Sequence, residues 1–376
     1  MVPYFVTFGL SSLCCALGEY CSHRQNRRKA ALFFTLAVII VSVLAGVRDL
    51  EVGSDIWTYG EWAFNAAKNN SNIVSYISEQ SDLEPLYNIF VWIIAQFATD
   101  SHWLYFFTGL VTYYFIMRGI LNYEKQISVT LAWLVFLLLY YGDTLNAMRQ
   151  FIAVAIAFWG LKLAFEGKYR KYLAVTIIAA LFHYTAILSF LILAVILFLK
   201  KMDTFLRRIF VVLLVAVSTI MYSQLLEMFI GIGLVTEKYS RYYATNLDLS
   251  LNPILIRLPF LIVIAIFYRT YCNGERKYTR KFESTSEADI IIMLLIIDIL
   301  VSAMRGTVST LYRASFQFGI YRTIGYSRVC STLRKNNRFV FILLLLIYLI
   351  ILWIYQNVMQ GNNDIYPYTS KILGIG

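Results

Sequence analysis

Five arginines of this chain are poorly explained by ordinary charge placement: Arg48, Arg149, Arg257, Arg305 and Arg313. Each sits in or at the edge of an apolar run, away from the short basic segments that hold most of the positive charge. A guanidinium is a rigid fork of donors that grips phosphate oxygens two at a time. Several such forks at one membrane face suit an anionic, lipid-linked substrate. Each arginine also has a plainer use in an ion pair, Arg48 with Asp49 or Glu51, and Arg305 or Arg313 with Asp298. Asp298 lies in the apolar run Ile290 to Val301, seven residues before Arg305 and so on the same helical face. A charge inside a span costs about 2.5 kcal/mol or more unless it is paired or wet. An intramembrane acid and Arg313 therefore both need a partner.

Three groups could take a proton from a hydroxyl. His183 is one of three histidines and stands near the middle of the apolar stretch 172–199. Its reference pKa of ~6.5 suits a base. Asp55 follows Gly53-Ser54 and could equally cap the helix after it. Glu84 precedes Pro85 and could simply mark a helix start with proline in first position. Asn146 is placed to cap a span, but Arg149 and Gln150 beside it have no such structural use. Tyr59 joins this group of candidate substrate contacts. The segment 231–252 interleaves Glu237, Lys238, Tyr239, Arg241, Tyr242 and Tyr243, a pattern that suits either a carbohydrate or an interfacial belt. There is no P-loop, GxGxxG, HExxH or serine elbow, and none of the five cysteines has metal-ligand or CxxC spacing. No nucleotide, metal or other cofactor is expected.

These residues must be positioned by membrane helices. Of 376 residues, 59% are hydrophobic and 15% charged, where a soluble domain has about one-quarter charged. The apolar residues form long blocks such as Phe210 to Ile230 and Phe339 to Tyr355. In lipid the backbone must satisfy itself, so such blocks read as helices. The ten-residue alternation of a β-barrel is missing. The expected fold is an all-α polytopic bundle with about 12 crossings plus short re-entrant or interfacial helices. It forms one integral membrane domain over 1–376. Residues 3–21 read as a retained first span rather than a signal peptide. Further spans fall near 30–47, 102–118, 127–142, 148–165, 206–230, 253–270, 289–304, 308–323 and 339–358. Residues 172–199 read as a hairpin of two short helices with His183 at its turn. One continuous helix would be ~42 Å long and would leave basic flanks on both sides of the membrane.

Charge then assigns sides. Six segments, 23–29, 118–126, 166–171, 200–208, 271–288 and 324–338, hold 21 of the 33 lysines and arginines and are expected inside. The net charge of +11 is therefore a topology signal rather than a sign of nucleic-acid binding. Outside fall 48–84, whose aromatics suggest an amphipathic surface helix, together with 143–147, the turn at 183, 231–252, 305–307 and the tail from 359. The alternation requires 85–99 not to cross.

Read in order, the motifs are Arg48, Val52-Gly53-Ser54-Asp55 with Tyr59, Glu84-Pro85-Leu86-Tyr87, Asn146-Ala147-Met148-Arg149-Gln150, Leu181-Phe182-His183-Tyr184-Thr185-Ala186, Arg313 and Tyr366-Pro367-Tyr368. This series resembles the EpsG family of bacterial, Wzy-like polysaccharide polymerases over nearly the whole chain. The family usually has Gly-Thr-Asp where this chain has Gly53-Ser54-Asp55. Residues 303–321 match less crisply and leave Arg305 and Arg313 as alternatives. The resemblance implies a GT-C-like glycosyltransferase that needs no metal. It would act in the plasma membrane and join undecaprenyl-pyrophosphate-linked oligosaccharides at the outer face. The polymer would be an exopolysaccharide, capsule or O-antigen. A chain-length regulator and a flippase are candidate partners. Two other activities compete, a flippase for lipid-linked saccharides and a membrane acyltransferase. The gathering of non-loop charge on one side favours an enzyme over alternating access.

Overall fold

The computed structural model describes residues 1–80, 83–201, 205–231, 250–276, 287–304 and 311–376. The chain divides into two compact units, Met1–Ile187 with Arg334–Gly376, and Leu188–Leu333. Both are helical, and the β pairing among the described residues is an isolated bridge between Ser370 and Ile375.

The first unit opens with α1 (Val2–His23) and α2 (Arg27–Gly46), which pack as a hairpin. Gln25 adopts φ 57° at the turn, and the Asn26 side chain accepts from the Lys29 N–H to start α2. Residues 57–61 form a wide helical turn that runs into α3 (Trp62–Lys68), followed by α4 (Ile73–Glu79). The expected amphipathic surface helix is thus broken into short pieces. Trp57 and Trp62 are exposed while Phe64 and Tyr76 are buried. Next come α5 (Pro85–Phe97), α6 (His102–Leu121), α7 (Val129–Asn146), α8 (Met148–Phe165) and α9 (Tyr169–Phe182). The start of α7 is capped twice. Ser128 accepts from the Leu131 N–H, and the Glu19 carboxylate accepts from the N–H groups of Val129 and Thr130. An anion is favoured there because the first amides of a helix have no internal partner.

These contacts define the two ends of the unit. Glu19, near the end of α1, meets the start of α7, while Tyr4, near its beginning, donates to the Ile365 carbonyl. The His102 ring, opening α6, bonds the Gly46 carbonyl that closes α2. Both ends of α5 lie at this second end. Glu84 before it pairs with Arg149 at the start of α8, and the carbonyls of Ala98 and Thr99 after it accept from Lys68 Nζ. The segments on either side of α5 thus make their contacts at one end of the unit.

The chain continues with α10 (Leu188–Lys201), α11 (Phe205–Ile220), α12 (Tyr222–Gly231), α13 (Leu251–Ile266), α14 (Tyr268–Arg276) and α15 (Glu287–Ala303). Short helices α16 (Leu311–Ala314) and α17 (Phe316–Gly319) precede α18 (Arg322–Thr332). The closing helix α19 (Lys335–Ile354) belongs to the first unit.

Three expectations are corrected in the second unit. The stretch 206–230 is broken at Met221 into α11 and α12. No single span covers 308–323: its described part is the two short helices α16 and α17 and the start of α18. Residues 324–332, expected as an inner loop, continue α18 and are largely buried. The error has a physical source. Hydropathy ends the span at the polar pair Arg322-Thr323 and treats Ser327 and Arg328 as loop residues. Here Arg322 is held by Asp298, and Arg328 donates to the Tyr271 carbonyl.

Six helices in the described residues are long and apolar enough to span a membrane: Val2–His23, Arg27–Gly46, His102–Leu121, Val129–Asn146, Met148–Phe165 and Asn337–Met359. Lipid-facing leucines and isoleucines on α1 and α19 remain exposed, as a bilayer allows.

Candidate active site

The candidate residues of the first unit gather at the end where α2 finishes and α8 begins. Pro85 opens α5, as expected, but the Glu84 side chain does not cap that helix. Its carboxylate instead forms an ion pair with Arg149 Nη1. The Arg149 guanidinium lies over the Tyr59 ring, 4.0 Å from the centroid, and also near Tyr87, at 5.7 Å. Tyr87 in turn donates its hydroxyl to the Tyr59 carbonyl at 2.7 Å. A cation stacked on aromatic faces keeps its in-plane donors available.

His183 arrives from a third segment. The helix α9 stops at Phe182, His183 is extended (φ −160°, ψ 126°), and a short 3-10 turn covers Tyr184–Ile187. The helix break thus falls where the sequence placed it. The extended backbone turns the imidazole toward Glu84, with Nε2 3.9 Å from Glu84 Oε1. The Tyr184 N–H reaches the same oxygen at 3.4 Å. On the other side of the ring, Nδ1 is 2.9 Å from Thr185 Oγ and accepts from the Thr185 N–H at 3.3 Å. Gln150 Nε2 donates to Thr185 Oγ at 3.2 Å. The side chains of Arg149, Glu84 and His183 keep 12–14% of their surface, so they are enclosed but reachable.

A second network adjoins the first at the junction of α7 and α8. Asn146 was expected to cap α8, yet it closes α7 and α8 has no side-chain cap. Its Oδ1 accepts from Ser54 Oγ at 3.0 Å and from the Asp55 N–H at 2.7 Å. Its Nδ2 donates to Asn363 Oδ1, and Asn363 donates to Asp143 at 2.9 Å. Gly53 adopts φ 109°, and its N–H reaches the Asp364 carbonyl. A side chain there would be strained, and a Cβ would stand 3.1 Å from the Leu145 carbonyl oxygen. The Asp55 carbonyl accepts from the Tyr59 N–H, so Asp55 starts the turn that carries Tyr59.

Arg48 contradicts its expected pairing with Asp49 or Glu51. It is 1% exposed and lies over the Tyr105 ring, 5.2 Å from the centroid, and Nη2 contacts Met148 Sδ at 3.3 Å. Nε and Nη1 find no acceptor among the described residues. Asp49 is turned the other way and accepts from the Lys371 N–H. Tyr368 of the tail donates to the Leu44 carbonyl at 2.8 Å, and burial holds its phenol pKa well above the usual value despite the opposing pull of Arg48.

In the second unit, Asp298 is paired with Arg257 Nε at 2.8 Å and with Arg322 Nε at 3.3 Å. Arg322 was not among the candidates, because the sequence reading placed it near the end of a span. Arg313 is half-buried in α16. Arg305 and most of 231–252 lie outside the described residues. Among those residues no group of three His, Cys, Asp or Glu side chains is arranged to hold a metal ion.

Fold and composition together define a multi-pass helical membrane protein. The EpsG family model matches residues 31–370, and the chain belongs to the EpsG family. No curated protein and no solved structure matches it.

Proposed function

We propose that this protein is a GT-C-like polysaccharide polymerase of the bacterial plasma membrane. It joins oligosaccharide units carried on undecaprenyl pyrophosphate at the outer face. The observation that carries this reading is the meeting of Glu84, Arg149 and His183 from three distant segments. A carboxylate and an imidazole next to a stacked guanidinium supply what transfer from a pyrophosphate requires. One group removes the acceptor proton, and a cation takes up the charge of the leaving group.

Arg149 contributes that cation, with Arg48 beneath the same end of the unit and Arg313 as a further candidate. Asn146, Gln150, Asp55 and Tyr59 shape the surroundings. The basic residues Arg24, Arg27, Arg28, Lys29, Lys125, Lys168 and Arg170 lie at the opposite end of the first unit, which supports placing the site end outside. The shorter apolar helices, such as α10 and α13, complete about 12 crossings in this reading.

The test uses purified full-length protein in liposomes, supplied with lipid-linked units extracted from a polymerase-deleted strain. A ladder of longer chains without added nucleotide or metal, lost in Arg149→Ala, is the expected result. Translocation of single units without a ladder would identify a flippase instead, and acyl transfer to the polymer an acyltransferase.

A further inference from the structure

The hydrogen bonds around His183 decide where its proton sits. A backbone N–H cannot be turned around, so Nδ1 must be the acceptor for Thr185 N. With Nδ1 already an acceptor, the 2.9 Å contact to Thr185 Oγ needs the hydroxyl as its donor, and Gln150 fits this by donating to a lone pair of the same oxygen. Both donors select the neutral tautomer that carries its hydrogen on Nε2. That hydrogen faces Glu84 Oε1 across 3.9 Å. The gap is too long for a direct hydrogen bond. It is nevertheless short enough for one oxygen atom to lie about 2.8 Å from both groups at once.

We propose that Glu84 and His183 bracket the acceptor hydroxyl, with Glu84 as the base, and that Thr185 and Gln150 are positioning residues that set the His183 tautomer. The inference rests on the polymerase reading. His183 Nε2–H donates to the hydroxyl oxygen and orients it. The hydroxyl O–H bond breaks and its proton passes to the Glu84 carboxylate. The freed oxygen pair forms the bond to the anomeric carbon of the donor. The anomeric C–O bond breaks, and its electron pair leaves with the pyrophosphate. His183 keeps its proton throughout. This reverses the simpler expectation that a lone histidine near a reacting hydroxyl is the base. The Nδ1 lone pair is already committed to Thr185, whereas Oε1 of Glu84 faces the gap.

The test has two independent readouts. Nitrogen NMR of full-length protein labelled at its three histidines, with His183→Asn identifying the signal, reports the tautomer without turnover. The wild type should show an unprotonated Nδ1 and a protonated Nε2. Thr185→Val removes the hydroxyl at nearly constant volume and leaves only the weaker backbone N–H on Nδ1, so it should raise the share of the other tautomer. In liposomes it should lower kcat about tenfold or more with little change in KM. Thr185→Ser should restore most of that loss. If Thr185→Val does not fold, Gln150→Met removes the other end of the relay and should move both readouts in the same direction. A protonated Nδ1 in the wild type, or an unchanged kcat in a folded Thr185→Val protein, would overturn the proposal. Absence of polymer from the wild type would overturn the polymerase reading, and the spectrum would still decide the tautomer.

Discussion

Nε2 of His183 stands 3.9 Å from Oε1 of Glu84, across a gap that neither side chain closes. Each residue lies just outside a helix, His183 after α9 and Glu84 before α5. Helix ends make this placement possible, because an extended residue can aim its side chain along the helix axis rather than away from it. The site is therefore built from termini brought to one end of the first unit, on a scaffold of long apolar helices.

Arg149 is held by both charge and shape. Arg149→Ala would leave Glu84 enclosed without its counter-charge, and loss of one partner of a buried pair typically costs about 3 kcal/mol. The expected outcome is a lower thermal midpoint in detergent and no chain growth. Arg149→Lys restores the charge but not the planar group that lies over Tyr59. It should recover much of the stability and little of the activity. Full recovery of both would show that the guanidinium plane is irrelevant.

Arg48 should separate stability from function. Its side chain is buried among rings, and two of its nitrogens have no acceptor among the described residues. Replacing a buried charge by an apolar side chain of similar length is often stabilising by about 1 kcal/mol or more. Arg48→Met should raise the thermal midpoint while chain growth falls about tenfold, as expected where a strained site is kept for use. Lower stability together with normal polymer would assign Arg48 a purely structural role.

Much of this site was legible because the informative residues disobey the pattern around them. Arg149 and Gln150 are polar at the start of a span, and His183 interrupts an apolar stretch, so all three stood out. Glu84 was also visible, but its partner was not, since nothing local links it to α8. Arg48 was assigned to Asp49 because adjacency is all that a linear reading offers; the fold turns the two apart. Thr185 was visible only as a member of the motif Leu181–Ala186, and nothing local showed that its hydroxyl meets the imidazole. The second unit was harder. There α18 buries Arg322 and Arg328 by satisfying them, and a hydropathy scale cannot see satisfaction.

The tail is predicted to be part of the site end. The Asp49 N–H donates to the Thr369 carbonyl, the Gly53 N–H to Asp364, and Asn363 joins Asn146 to Asp143. Truncation after Gly361 removes these partners from the loop 48–55. Amide exchange at Asp49 and Gly53 should speed up markedly, while amides in the middle of α7 stay protected. Chain growth should be lost even if the protein is still produced in the membrane. Unchanged exchange at both amides would refute the strapping role.

Asp298 provides a test inside the second unit. It is 1% exposed and serves two arginines, with Gly319 packed so closely that a Cβ there would stand 2.8 Å from its Oδ1. Asp298→Ala would leave Arg257 and Arg322 facing each other without the carboxylate, at a cost of about 3–5 kcal/mol. The double change Asp298→Leu with Arg257→Met removes an acid and a base together, so its cost should be well below that of Asp298→Ala. The two proteins distinguish a structural triad from a functional one. If the double variant folds and still extends polymer, the triad only holds α13, α15 and α18 together. If it folds but extends nothing, the pair acts on the reaction, and Arg257 is a cation that the reaction needs.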